Sequence, residues 1–207
     1  METITTDMIP YGNLATWWAG GFYLLNKIFF SQAERCKVDS KKRVLKIFGW
    51  AVYLVGLPAW CYLFYWRKDS IAFYVEISGA VIMILGLIVA WIGIKKTPKW
   101  FVVIGFVAVG IGMKYSFQDF GIMQETKQWL ELGISIGFLA GTLLLALERR
   151  SGYLWFVFMN ISCALLMGIE HKSVVLTVQQ IVSLYFVYDA WRHFRPSVDS
   201  IDERRNQ

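Results

Sequence analysis

The sequence predicts an all-α membrane protein of seven transmembrane helices. The expected arrangement is 3+1+3 with parallel repeats, the N-terminus out and the C-terminus in. Three observations carry this reading. Of 207 residues, 57% are hydrophobic and only 17% charged, whereas a soluble domain is nearer about 45–50% apolar. The charged residues cluster between long apolar runs, and the polar residues are too few to cover a soluble core of this size. Finally, the basic residues divide unequally between alternate connections, as the positive-inside rule requires.

An apolar run of roughly 20 residues crosses a bilayer as a helix, and seven runs qualify. Residues 13–33 form the weakest, because Asn26 and Lys27 interrupt it. Residues 1–13 are polar and slightly acidic, without the basic start of a signal peptide, so this first span is expected to be kept. Residues 45–66 contain Pro58, which loosens the backbone between Tyr53 and Trp60. Residues 71–94 are apolar except for Glu76, and residues 98–116 are short and glycine-bearing. Residues 128–147 and 173–193 are long and clear, while 152–169 is short.

With the N-terminus outside, the inner segments carry fifteen basic residues. These are Arg35, Lys37, Lys41, Lys42, Arg43 and Lys46, then Lys95, Lys96 and Lys99, then Arg149 and Arg150, then Arg192, Arg195, Arg204 and Arg205. The outer segments carry five: Arg67, Lys68, Lys114, Lys127 and Lys172. Six spans would put both termini on one side and spoil this division. The net charge of +6 therefore reports inner loops rather than a nucleic-acid partner, and the bilayer is the expected environment.

Internal similarity organises the spans. "KIFGWAVYLVGLPAW" and "GYLWFVFMNISCALL" open the second and sixth; "LIVAW" and "VYDAW" close the third and seventh. Short polar turns, "RKDS" and "EHKS", separate each pair. The expected organisation is a first three-helix repeat over 13–94, a connecting helix over 98–116, a second repeat over 128–193 and an inner tail over 194–207. A single connector returns the second triplet to the orientation of the first, one of the repeat arrangements found in transporters.

Polar residues at membrane depth are the candidate site. Glu76 lies 15 residues before Trp91, and Gln179 and Gln180 lie 12 and 11 before Trp191. At 1.5 Å per residue these are depths of about 22 and 18 Å in matching helices. Asn160 lies about 12 Å into span six, and Tyr53 and Trp60 bracket that depth in span two. A carboxylate, amides and the aromatic faces of Tyr53, Trp60 and Trp155 suit a flat, polar, cationic ligand. Each residue also has a plainer reading. Glu76 either binds a ligand or lies near the outer interface beside Arg67 or Lys68. Asn160, Gln179 and Gln180 either line a cavity or join helices. Trp50, Trp66, Trp91, Trp100, Trp129 and Trp191 fit an interfacial belt. Glu131 and Asp189 fit solvated or capping positions near span ends. Gly105, Gly110, Gly112, Gly133, Gly137 and Gly141 fit close packing between helices. Cys36, Cys61 and Cys163 show no metal spacing and no disulfide framework. No cofactor is indicated.

The stretch from "WLELGISIGF" through "LALERRSGYLWFVFMNISCALL" to "VQQIVSLYFVYDAWRHF" resembles the last three helices of the PnuC family of bacterial vitamin transporters. The shared features are a helix ending in a basic pair, a "W…N" helix, and a last helix with an early polar residue and an aromatic–Trp–basic end. Residues 46–91 look like the second and third helices of that family's first repeat. The resemblance implies a full-length SWEET-like fold in the bacterial inner membrane. It implies facilitated diffusion of an unphosphorylated vitamin, made one-way by a cytoplasmic kinase. Carried over by position, Trp155, Asn160 and Gln179 match the family's second-repeat site. The first repeat departs from the nicotinamide riboside pattern: "YLVGLPAW" lacks an Asn, and Glu76 stands where a Gln is usual. A carboxylate favours a cation with paired N–H donors, which points to thiamine, with nicotinamide riboside and then riboflavin as alternatives.

An enzyme is the contrasting class. The chain has two histidines, His171 and His193, no zinc-protease or nucleotide-loop motif, and no Ser or Cys paired with a buried His. A seven-helix receptor is the third class. It would need a partner surface that these short loops do not offer, and it would not need two similar halves.

Overall fold

A computed structural model describes residues 9–118, 126–169 and 174–195. The "EHKS" turn with Lys172, and the tail from 196 with Arg204 and Arg205, lie outside the described residues. Among those described there are seven α-helices and no strand: α1 (Gly12–Arg35), α2 (Asp39–Arg67), α3 (Ser70–Ile92), α4 (Lys99–Gln118), α5 (Thr126–Ala146), α6 (Ser151–Ile169) and α7 (Val174–His193). Helices α2 to α6 are each long and apolar enough to cross a membrane, consistent with a multi-pass membrane protein.

Helices α1 and α7 are more polar, and their polar residues point inward. Asn26, Lys27, Ser31 and Glu34 of α1 are buried, while Leu14, Trp17, Trp18 and Leu25 are exposed. Gln180, Ser183 and Asp189 of α7 are buried, while Val178, Ile181, Tyr185 and Tyr188 are exposed. A soluble helix has the reverse pattern. This inversion places lipid-compatible surface outside and the polar side chains within.

Neighbour relations make a closed ring in the order α1, α2, α3, α5, α6, α7 and back to α1, with α4 packed outside against α3 and α5. Consecutive helices of the ring mostly run antiparallel. Asn26 reaches the Gly49 carbonyl at 2.8 Å, and Trp18 reaches that of Val55 at 3.2 Å. Helices α1 and α7 run parallel, joined by Gln179 to Gly20 near one end and by Arg35 to Asp189 at the other. Helix α2 begins at Asp39, earlier than the expected 45, because Lys42 and Lys46 turn inward to buried carboxylates rather than ending the helix. Pro58 lies within α2, which continues through it to Arg67.

Glycines set the closest approaches. A Cβ added at Gly137 would lie 2.8 Å from Met159 Cβ and 2.9 Å from the Trp155 carbonyl oxygen. Gly110, expected to pack closely, meets nothing within 4 Å. Gly137→Ala is therefore expected to push α5 from α6 and cost about 1–3 kcal/mol. Gly110→Ala should stay within about 0.5 kcal/mol of the parent. Thermal melts in detergent distinguish the two, and equal shifts would contradict this packing. Trp50 corrects the belt expectation: it is 4% exposed, packed edge-on to Phe30 at 5.0 Å and over Gly86. Trp66, Trp91, Trp100 and Trp129 remain exposed.

Candidate functional site: an acidic cavity on the ring axis

All six ring helices contribute to one cavity of about 170 Å³. Helical spacing selects its wall. Tyr53, Trp60 and Phe64 come from α2, Ala72 and Glu76 from α3, Glu131, Ser135 and Phe138 from α5, and Met159, Cys163 and Met167 from α6. Tyr23 enters from α1 and Gln180 from α7. Arg67 and Asp69 lie toward the α2–α3 turn, where Asp69 caps α3 by accepting from the Ala72 N–H at 3.0 Å. Three carboxylates and one guanidinium line this space. Lys127 approaches Glu131 at 3.8 Å.

Two tyrosines make the floor. Tyr23 and Tyr53 meet edge to face at 5.9 Å between ring centres, and Phe138 flanks Tyr53 at 6.0 Å. The Tyr53 hydroxyl donates to the Glu76 carboxylate, at 3.2 and 3.3 Å from its two oxygens. The Tyr23 hydroxyl donates to Asn160 Oδ1 at 3.0 Å, and the Asn160 amide donates to the Phe156 carbonyl at 2.6 Å. Opposite Glu76, the buried Gln180 Oε1 has no hydrogen-bond partner among the described residues, nor does Ser183 Oγ one turn along α7. A free amide oxygen across the cavity from a carboxylate is chemically suited to a ligand rich in N–H donors.

Below the floor the axis is nearly filled. The remaining void, about 10 Å³, is lined by Asn26, Lys27, Phe30, Trp50, Tyr153 and Phe156, among others. Beyond it the basic end is tied by ion pairs. Glu34, fully buried, meets Lys42 Nζ at 2.6 Å, Lys46 Nζ at 3.4 Å and the Tyr153 hydroxyl at 3.2 Å. Lys46 also reaches Glu148 at 3.3 Å. Arg35 Nε donates to Asp189 at 2.7 Å, and Ser31 donates to the same carboxylate. Asp189, expected to be solvated or capping, is thus a buried cross-link between α1 and α7. The cavity opens away from this end.

The structure brings Glu76, Tyr53, Trp60 and Gln180 together in the wall. Asn160 stands one residue behind it, holding Tyr23. Gln179 and Trp155 do not reach it. Gln179 donates to the Gly20 carbonyl at 3.0 Å and joins α7 to α1. Trp155 lies on the outer face, 37% exposed, against Phe158. Both are one residue from an inward position, and one residue turns a helix face by about 100°. Sequence reasoning missed Tyr23, Phe138, Met159 and Cys163 as wall residues, and read Glu131 as solvated or capping. The signal for α1 was present: Tyr23, Asn26, Lys27, Phe30 and Glu34 recur at helical spacing on one face. Gln180→Leu is expected to weaken ligand binding about tenfold, while Trp155→Phe leaves it unchanged. Titration by fluorescence quenching checks both, and the reverse order would contradict this wall. No family model, no curated protein and no solved structure matches the chain.

Proposed function

We propose that the protein carries an unphosphorylated, cationic vitamin, thiamine, into bacteria across the inner membrane by facilitated diffusion and alternating access. The observation that carries the reading is Glu76, held by Tyr53 at the base of a cavity open toward one end, opposite the unpartnered Gln180 oxygen. A carboxylate with aromatic walls attracts an organic cation. Two acceptors facing each other suit the amino group of an aminopyrimidine better than a neutral sugar. The likeness of α5 to α7 to the PnuC family points the same way, and a cytoplasmic kinase that traps the product is the expected functional partner.

The 3+1+3 arrangement is part of this proposal, and the axis lining supports it. Tyr23, Lys27 and Phe30 of α1 correspond at one constant spacing to Phe138, Thr142 and Leu145 of α5. Trp50, Tyr53 and Trp60 correspond in the same way to Tyr153, Phe156 and Cys163. Glu76 and Met83 correspond to Gln180 and Val187. The ring order is also unchanged when α1, α2 and α3 exchange with α5, α6 and α7. Seven spans with the C-terminus inside follow from the basic end being cytoplasmic, which makes this an outward-open carrier.

Uptake of labelled thiamine into proteoliposomes tests the reading. Equilibration without accumulation is expected, accelerated by a thiamine kinase and ATP sealed inside. Uptake of nicotinamide riboside but not thiamine would replace the substrate. Accumulation against a gradient in vesicles without the kinase would overturn facilitated diffusion.

A further inference from the structure

Lys27 is a second ionisable residue on the ring axis, and the proposed binding site does not use it. It is 4% exposed. Its ammonium lies 3.5 Å from the centre of the Phe156 ring and 4.7 Å from that of Tyr23. No ion pair holds it among the described residues. Glu34, seven residues along the same helix, is already met by Lys42 and Lys46. Glu76 stands in the cavity above and Lys27 in the void below, with the Tyr23–Tyr53 floor between them. Tyr53 lines both the cavity above and the void below, and its hydroxyl holds Glu76. In the second half the corresponding positions are the neutral Thr142 and Gln180. The axis therefore places an amine and a carboxyl group on opposite sides of an aromatic partition.

We propose that Lys27 is a resident counter-cation, which pairs with Glu76 when the carrier crosses empty and yields that place to the cationic ligand when it crosses loaded. This rests on the carrier reading above. A carboxylate that loses its water as the cavity closes needs a positive partner. The bound cation supplies it on the loaded crossing. On the empty crossing Lys27 is placed to supply it from below the floor, while Arg67 lies toward the α2–α3 turn, and the flexible four-carbon stem lets the ammonium move toward Glu76. The ring faces of Phe156 and Tyr23 hold the displaced ammonium while the ligand is bound.

The consequence is a split between two fluxes. Net uptake needs the empty return; exchange of external for internal ligand does not. In proteoliposomes free of internal thiamine, Lys27→Met is expected to lower the initial rate of net uptake at least about tenfold, while labelled exchange in thiamine-loaded proteoliposomes stays within about twofold of the parent. Lys27→Arg should restore net uptake. If Lys27→Met does not fold, Lys27→Gln carries the same expectation. Parallel loss of both fluxes, or net uptake unchanged in the neutral variants, overturns the counter-cation. Absence of any thiamine flux in the unmodified protein overturns the carrier reading itself, and the counter-cation with it.

Discussion

Glu76→Gln is expected to weaken thiamine binding by about a hundredfold. Removing one member of a hydrogen-bonded charge pair costs about 2–5 kcal/mol, and every 1.4 kcal/mol is a factor of about ten. The glutamine keeps the shape and still accepts from Tyr53, so the loss isolates the charge rather than the fold. Trp60, in the same wall, provides the fluorescence signal. Tyr53→Phe should cost less, about tenfold, because it removes one neutral donor and leaves the carboxylate. If Glu76→Gln binds thiamine as tightly as the parent, the acid is not a ligand contact and the substrate reading fails at its centre. An equal loss for Tyr53→Phe and Glu76→Gln would instead assign the effect to the floor.

How much of this was legible in the sequence differs by level. The helices were, because runs of about 20 apolar residues bounded by charge follow from bilayer thickness. That Glu76 and a member of the Gln179–Gln180 pair stand at similar depth was legible too, measured from Trp91 and Trp191, and Glu76 and Gln180 do line one cavity. Rotation about the helix axis was not. Gln179 and Gln180 are equally polar, and only packing against Gly20 decides that the first joins helices while the second faces the cavity. Trp155 misled for the same reason, one residue from the inward Phe156. Lys27 was read as a flaw in a weak span. Its meaning depends on the ring faces of Tyr23 and Phe156, and Phe156 lies more than a hundred residues away along the chain. Asp189 was misplaced because span-end position was taken for exposure, when α1 covers it with Ser31 and Arg35.

Glu34→Ala is expected to be the most destabilising single change at the basic end. It would leave Lys42 and Lys46, each only 10% exposed at the side chain, without their shared carboxylate. Breaking a buried ion pair from one side costs about 3–5 kcal/mol. For a chain of this size that corresponds to a fall in Tm of roughly ten degrees, read in detergent by tryptophan fluorescence. Arg35→Ala should cost less, about 1–3 kcal/mol, because the Asp189 left behind, though buried, keeps the Ser31 hydroxyl and His193 as partners. Adding Lys46→Met to Glu34→Ala should recover part of the loss, because an apolar side chain does not require the missing carboxylate. Lys46 keeps Glu148 as a second partner, so the recovery will be incomplete, and Lys42→Met in the same background should recover more, because Lys42 keeps the Arg195 carbonyl at 2.6 Å but no carboxylate among the described residues. Equal melting temperatures for Glu34→Ala and Arg35→Ala would mean that water already reaches Glu34. The basic end would then be hydrated as far as Glu34, by way of the space of about 400 Å³ that Lys42, Lys46 and Glu148 line beside it.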